Sequence, residues 1–454
     1  MPIDKNIIEN IWGEVEQENP YQKLGLERNP FPANGNPPAS PTISPYPEVD
    51  RQITQFIVSF LRSRKSRGLV LLGDYGTGKT YHLRWIRSLL QSKPEISIQV
   101  LDIESPGLEP YHLVRSILSQ IGDQEIAKAV WRLILPKLKD AVASEGQNFF
   151  QQFLSDKVLK KGGKSLPFES MGWDYQYVRT DAETFNDYRN FLASFDKSGT
   201  LSREKLRDWA VPLLYRKHNH GGIGITNNIS IAKEIANLCF LSGVPALESW
   251  ERLTISGKEG TFPNQAEPEF LQTILRLLVI TGTQFFVLLL DEFEKVPLME
   301  NLTQREMKKY LDTVRMLADK SWEDDSLPFA WVIASHDEAW SQIRDKLNQA
   351  LAERFPTEIH LPRTFEKDVA NYIVIQNLNL SRSDSKLRDT LFPFPENLMD
   401  LIPATLRRTS RDLVTLCYEL IEASLNSESS DKGISEDFIT KFISNYHGYQ
   451  QMQN

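Results

Sequence analysis

One octapeptide constrains this chain more than anything else in it: Gly73-Asp74-Tyr75-Gly76-Thr77-Gly78-Lys79-Thr80. It follows a short apolar run, Leu69-Val70-Leu71-Leu72, and precedes helical spacing of apolar residues over 79–90. Every fixed position of the pattern G-x-x-x-x-G-K-[ST] is met, in a strand-to-helix context. Glycines there let backbone N–H groups turn inward and approach phosphate oxygens, and the helix N-terminus adds a partial positive charge. Lys79 is expected to reach the β- and γ-phosphates of a nucleotide, and the Thr80 hydroxyl to bind Mg²⁺. Tyr81, next along the helix, completes the candidate binding segment.

A phosphate loop needs an acidic partner at the end of a neighbouring buried strand. Val287-Leu288-Leu289-Leu290-Asp291-Glu292 supplies one, with two carboxylates at the C-terminal edge where such sheets bind ligands. Asp291 is expected to hold the water shell of Mg²⁺, and Glu292 to polarise the attacking water as general base. Further apolar runs at 96–103, 286–290, 329–334 and 358–361 read as strands separated by helices. Strands buried on both faces imply an α/β fold with a parallel sheet and helices on each side.

The 454 residues and their 41% hydrophobic content leave ample material for large cores, which excludes a disordered or fibrous chain. The net charge of −8 excludes a generally basic nucleic-acid coat, so any such contact must come from a local patch. Two cysteines, Cys239 and Cys417, cannot build a disulfide framework and read as small buried hydrophobes. The apolar runs are far short of the ~18 residues of a membrane span. No leader pattern opens the chain, which reads as cytoplasmic. A short amphipathic helix and a proline-rich strap are expected over 1–47, and the nucleotide core over 48–363. Within that core about 108–260 is an inserted helical stretch, and 364–454 forms a small all-helical lid.

These motifs resemble those of the AAA+ ATPases, initiator branch, which includes origin-recognition and transposition-regulator ATPases. Asn29-Pro30-Phe31 is similar to the lead-in of that branch, and the helix bearing Glu48 and Arg51 to the one beside the nucleotide base. Trp331 to Asp337 looks like the sensor-1 strand, with Ser335 or His336 in place of the usual asparagine. Leu351-Ala352-Glu353-Arg354-Phe355-Pro356 resembles the arginine-finger segment, so Arg354 would act in a neighbouring subunit. Thr409-Ser410-Arg411-Asp412-Leu413 is similar to the sensor-2 helix start, with Ser410 as N-cap and Arg411 touching nucleotide; Arg407 and Arg408 compete for that role. The long insertion and the lack of a winged-helix domain depart from origin initiators and look more like ATPases of bacterial phage-defence loci.

The resemblance implies an ATP- and Mg²⁺-dependent ATPase. It would be a homo-oligomer whose site is completed by a neighbour, acting on double-stranded DNA or a protein effector, without a membrane. The alternative is a nucleotide-controlled recruitment switch with slow hydrolysis and no DNA contact. A peptide-threading remodeller is disfavoured for want of an aromatic–glycine pore loop. Basic clusters at Arg62-Arg64-Lys65-Arg67 and Lys157-Lys160-Lys161-Lys164 are the candidate DNA contacts. The segment around Asp196 and Gly199 fails as a calcium loop, because Lys205 stands where a bidentate glutamate is needed. His218 and His220 lack metal-ligand partners in the sequence.

Overall fold

The computed structural model of this chain describes residues 19–35, 46–107, 110–145, 160–161, 164–165, 200–215, 224–241, 246, 248–249, 266–296, 303–322, 327–362, 366–425 and 433–450. The expected helix before residue 19, the centre of the proline-rich strap, Lys157, the Asp196 loop, His218 and His220 lie outside them.

Five strands form one sheet: β1 (Arg67–Leu72), β2 (Ile98–Ile103), β3 (Phe285–Leu290), β4 (Phe329–Ser335) and β5 (Thr357–His360). Their order is β2-β3-β4-β1-β5, and every pairing is parallel. The phosphate loop leaves the C-terminal end of β1, Asp291 follows β3, and His336 follows β4. Parallel pairing brings all three to one edge of the sheet. The expected α/β parallel sheet with helices on both sides is therefore what the chain forms.

Successive side chains of a strand point to opposite faces, and the sheet divides its apolar residues accordingly. On one face Val70, Leu72, Phe286, Leu288, Trp331 and Ile333 pack with helices α3 (Pro110–Ile121), α4 (Asp123–Glu145), α5 (Thr200–Leu214), α6 (Ile229–Phe240), α7 (Ala266–Ile280) and α8 (Gln304–Trp322). The described part of the inserted stretch thus shares one continuous core with the sheet. On the other face Leu69, Leu71, Val287, Leu289 and Val332 pack with α1 (Pro47–Ser63) and α2 (Lys79–Gln91). The same core takes in the C-terminal helices α9 (Lys367–Asn379), α10 (Ser410–Leu425) and α11 (Glu436–Gln450). Cys239 and Cys417 are both buried and free.

The lead-in is docked rather than loose. Asn29 donates through its amide to the Tyr418 carbonyl at 3.1 Å and to Glu422 Oε1 at 2.8 Å, both on α10. The Tyr21 hydroxyl donates to the same Glu422 oxygen at 2.7 Å, and Phe31 is buried against Phe394. Among the described residues no helix is long and apolar enough to cross a membrane.

The start of β1 tolerates no side chain. A Cβ on Gly68 would stand 2.5 Å from the Arg354 carbonyl oxygen and 2.6 Å from the Phe355 ring. We expect Gly68→Ala to cost about 1–3 kcal/mol in denaturant unfolding, the range of an overpacked core. A cost below about 0.5 kcal/mol, typical of an indifferent surface site, would contradict this packing.

Candidate nucleotide-binding site

The loop between β1 and α2 is built on backbone conformations that favour glycine: Gly76 has φ +79° and Gly78 φ +101°. Its base is tied to the sheet by Gly73 N–H donating to the Ser335 carbonyl at 3.3 Å. Thr77, 1% exposed, donates through its hydroxyl to the Asp74 carbonyl at 2.8 Å. Lys79 is buried, and its Nζ donates to the carbonyls of Gly73 (2.7 Å) and Asp74 (3.1 Å). Burial pulls the pKa of this ammonium down, opposed by the carboxylates of Glu294, Asp291, Asp74 and Asp337 in that order. The exposed Tyr75 ring lies 5.6 Å from the Lys79 ammonium.

The first turn of α2 is braced from below. His82 is fully buried, donates through Nδ1 to the Gly78 carbonyl at 2.8 Å, and stacks on Tyr46 with ring centroids 5.8 Å apart. Burial lowers its pKa to about 4, so it stays neutral at ordinary pH. Tyr81 sets its ring edge-on to His82 at 6.0 Å, supporting the helix start.

Asp291 and Thr80, expected to share a metal ion, are in direct contact: the Thr80 hydroxyl donates to Asp291 Oδ2 at 2.6 Å. Asp291 Oδ1 accepts from the Glu292 N–H at 2.9 Å. Burial raises the Asp291 pKa, against these two hydrogen bonds and the Lys79 charge. The donor set is one hydroxyl and one carboxylate, hard oxygen ligands of the kind Mg²⁺ takes while keeping several of its waters. No cluster of three or more His, Cys, Asp or Glu that would hold a metal ion occurs among the described residues.

Glu292, the expected general base, directly follows Asp291 at the end of β3. Its backbone turns left-handed, φ +53°, and its half-exposed side chain pairs with Lys295. A non-glycine residue rarely adopts such a turn, and strained backbone of this kind clusters at functional sites. The turn carries Phe293 and Glu294 inward, to 0% and 4% exposure. Glu294 was not singled out by the sequence; the only signal was its place three residues beyond Asp291.

Of the two sensor candidates, Ser335 is fully buried, with its backbone carbonyl on Gly73. The His336 imidazole faces the loop, with Nε2 at 3.1 Å from Asp74 Oδ1 and its ring 5.4 Å from Tyr75.

The C-terminal helices reach the loop through the start of α10. The Ser410 hydroxyl donates to the Gly76 carbonyl at 3.0 Å, and the Arg411 N–H to the same oxygen at 3.4 Å. The Arg411 side chain is exposed beside the loop. Arg407 instead donates to the Ile402 carbonyl at 3.2 Å. The expectation that Ser410 caps the helix is corrected: the cap is Thr409. Its Oγ1 accepts from the Asp412 N–H at 3.2 Å while Asp412 Oδ2 accepts from the Thr409 N–H at 3.2 Å, a reciprocal capping box that frees Ser410 for the loop.

Arg354 stands apart from this group. It precedes β5, beside the N-terminal end of β1, at the sheet edge opposite the phosphate loop. Its Nε donates to Asp319 of α8 at 2.5 Å.

No protein-family model matches this chain, and no curated protein does. Among solved structures, two of the Aeropyrum pernix ORC2 protein are similar to it, one described as ADPNP–ADP complexes and one as the ADP form. Each has 13% identity and a TM-score of 0.45, and the similarity covers 92% of this chain and 71% or 72% of that one.

Thr409→Ala removes one half of the reciprocal cap at the junction of lid and loop. It should cost about 1 kcal/mol in equilibrium unfolding, with Thr409→Ser restoring most of it. Equal stability of the alanine variant and the parent would show that the cap is not formed.

Proposed function

We propose that this chain binds ATP at the loop formed by Gly73, Asp74, Tyr75, Gly76, Thr77, Gly78, Lys79, Thr80 and Tyr81, and hydrolyses it with Mg²⁺. The observation that carries the proposal is the 2.6 Å hydrogen bond between Thr80 and Asp291, segments 211 residues apart that join the loop to an acidic strand end. A glycine-rich loop alone could cradle many anions. A buried lysine with a hydroxyl and a carboxylate beside it is the set that phosphoryl transfer from a nucleotide requires.

In this reading the loop N–H groups and Lys79 hold the β- and γ-phosphates. The Lys79 ammonium leaves the Gly73 and Asp74 carbonyls to do so. Thr80 and Asp291 would hold Mg²⁺, which when bound offsets charge on the phosphates. His336, at the tip of β4, orients the terminal phosphate, and Arg411 contacts the nucleotide from the lid. A carboxylate of the turn after β3 takes the proton of the attacking water. Loss of the γ-phosphate then weakens the bridge between loop and lid, which is how hydrolysis becomes movement.

Arg354 supplies charge stabilisation only to a neighbouring copy, because it lies at the far edge of its own sheet. Activity therefore calls for a homo-oligomer in which Arg354 exchanges Asp319 for the neighbour's phosphate. The exposed Arg62, Arg64 and Lys65 precede β1 at this same edge. They favour double-stranded DNA as the partner on which the switch acts, ahead of a protein effector.

The wild-type chain should release phosphate from ATP only with Mg²⁺, and Asp291→Asn should lower turnover about 100-fold, a loss of about 2.7 kcal/mol in transition-state stabilisation. Mg²⁺-independent turnover, or an undiminished variant, would reject the site. Double-stranded DNA at low salt should raise turnover; indifference to it would remove DNA from the reading.

A further inference from the structure

The lead-in lies along one face of α10 and ends beside the phosphate loop. The Tyr21 hydroxyl and the Asn29 amide both reach Glu422, Asn29 also reaches the Tyr418 carbonyl, and Gly35 meets Arg411 and Thr415. Positions 411, 415, 418 and 422 follow the spacing of a single helix face. As the lead-in runs forward from Tyr21 to Gly35 it therefore passes back along about 16 Å of α10, toward the first turn of that helix. Two backbone bonds fasten the same segment to the chain after α9. Glu27 N–H donates to the Ser381 carbonyl at 2.8 Å, and Ser383 N–H to the Gly25 carbonyl at 3.3 Å.

At Gly35 this contact leaves no room for a side chain. Gly35 closes a turn, its N–H donating to the Pro32 carbonyl at 3.1 Å, and its φ is +63°. A Cβ there would collide with Arg411 Cγ and stand 2.8 Å from Thr415 Oγ1. The phosphate loop meets the same arginine from its own side, where a Cβ on Gly76 would stand 3.3 Å from Arg411 Cβ. Two glycines, one from the lead-in and one from the loop, thus hold the Arg411 stem at Cβ and Cγ. Arg411 is nonetheless exposed, which leaves its guanidinium end as the part open to a ligand. A long side chain held at its stem loses less rotamer freedom when its head takes a ligand, so it binds more tightly than a loose one.

We propose that Gly35 is a positioning residue of the nucleotide site: its close approach aims the Arg411 guanidinium at the phosphates held by the loop, and so makes ATP affinity depend on the lead-in. The assignment rests on the reading that Arg411 contacts the nucleotide. The Arg411 N–H and the Ser410 hydroxyl fix the backbone of the helix start against the Gly76 carbonyl. Gly35 adds the second constraint, the direction in which the Arg411 stem leaves that backbone. A side chain at position 35 pushes Cγ aside, and the guanidinium, three bonds further out, moves with it. Asn29 holds the lead-in on the same face of α10, so loosening it relaxes the same constraint.

The test is equilibrium binding of ATP with Mg²⁺ to the full chain, for Gly35→Ala, Gly35→Asn and Asn29→Ala, each in the wild-type and the Arg411→Ala background. Gly35→Ala should lower ATP affinity about tenfold, the low end of a hydrogen bond to a charged group. Gly35→Asn should lose as much, because asparagine tolerates the left-handed backbone but still carries a Cβ. Asn29→Ala, which adds no bulk, should lose about threefold, and it carries the comparison if the Gly35 variants do not fold. In the Arg411→Ala background all three losses should shrink to within about twofold, since the side chain being aimed is gone. Losses that persist in full in that background show a structural role and overturn the assignment. Wild-type affinity in Gly35→Asn beside a loss in Gly35→Ala overturns it too, because backbone conformation alone would then account for the glycine. Arg411→Ala that binds ATP as tightly as the wild type overturns the nucleotide contact and the assignment together, while leaving ATP binding by the loop intact.

Discussion

A lysine is buried at the C-terminal edge of a parallel sheet, and the surrounding structure is arranged so that it can remain charged there. Burial works against the Lys79 ammonium, and four carboxylates from the turns after β1, β3 and β4 oppose it. Two loop carbonyls accept hydrogen bonds from it, so the charge has hydrogen-bond partners as well as counter-ions. Such a group is an uncomfortable element of a core and a ready receptor for a multiply charged anion. The strand order β2-β3-β4-β1-β5 sets the end of β4 beside that of β1 and the end of β3 beside that of β4.

The two apolar cores connect this edge to the rest of the chain in different ways. The face carrying Val70 and Leu288 is covered by the long run of helices between β2 and β4, including the described part of the insertion. The face carrying Leu69 and Val287 is covered by α1, α2 and the lid, and the lead-in is fastened to the lid by Asn29. In the proposed cycle, the contacts of Ser410 and Arg411 with Gly76 are those that a change at the phosphate would alter.

The fold class was legible because its strands are short, wholly apolar and bounded by chemistry-bearing residues. Leu69 to Leu72 ends in the loop and Val287 to Leu290 ends in Asp291, so strand, edge and site residue could be read together. The Thr409–Asp412 capping box also has a plain sequence pattern, but neighbouring Ser410 competes for the same role, and only the hydrogen bonds separate them. Glu294 was not legible, since local spacing cannot reveal a left-handed turn at a non-glycine residue. The place of Arg354 likewise depends on parallel pairing of β1 with β5, a contact between segments far apart in the chain. His336 against Asp74 joins the ends of β4 and β1, which no local pattern encodes.

The most direct test of the account is calorimetric titration of the full chain with ATP in the presence of Mg²⁺, beside the same titration of Lys79→Ala. The account predicts saturable one-site binding by the parent chain and an affinity at least about tenfold lower in the variant, a loss of about 1.4 kcal/mol or more. Equal affinities for the two proteins would contradict it, because the buried ammonium would then have no part in holding the nucleotide.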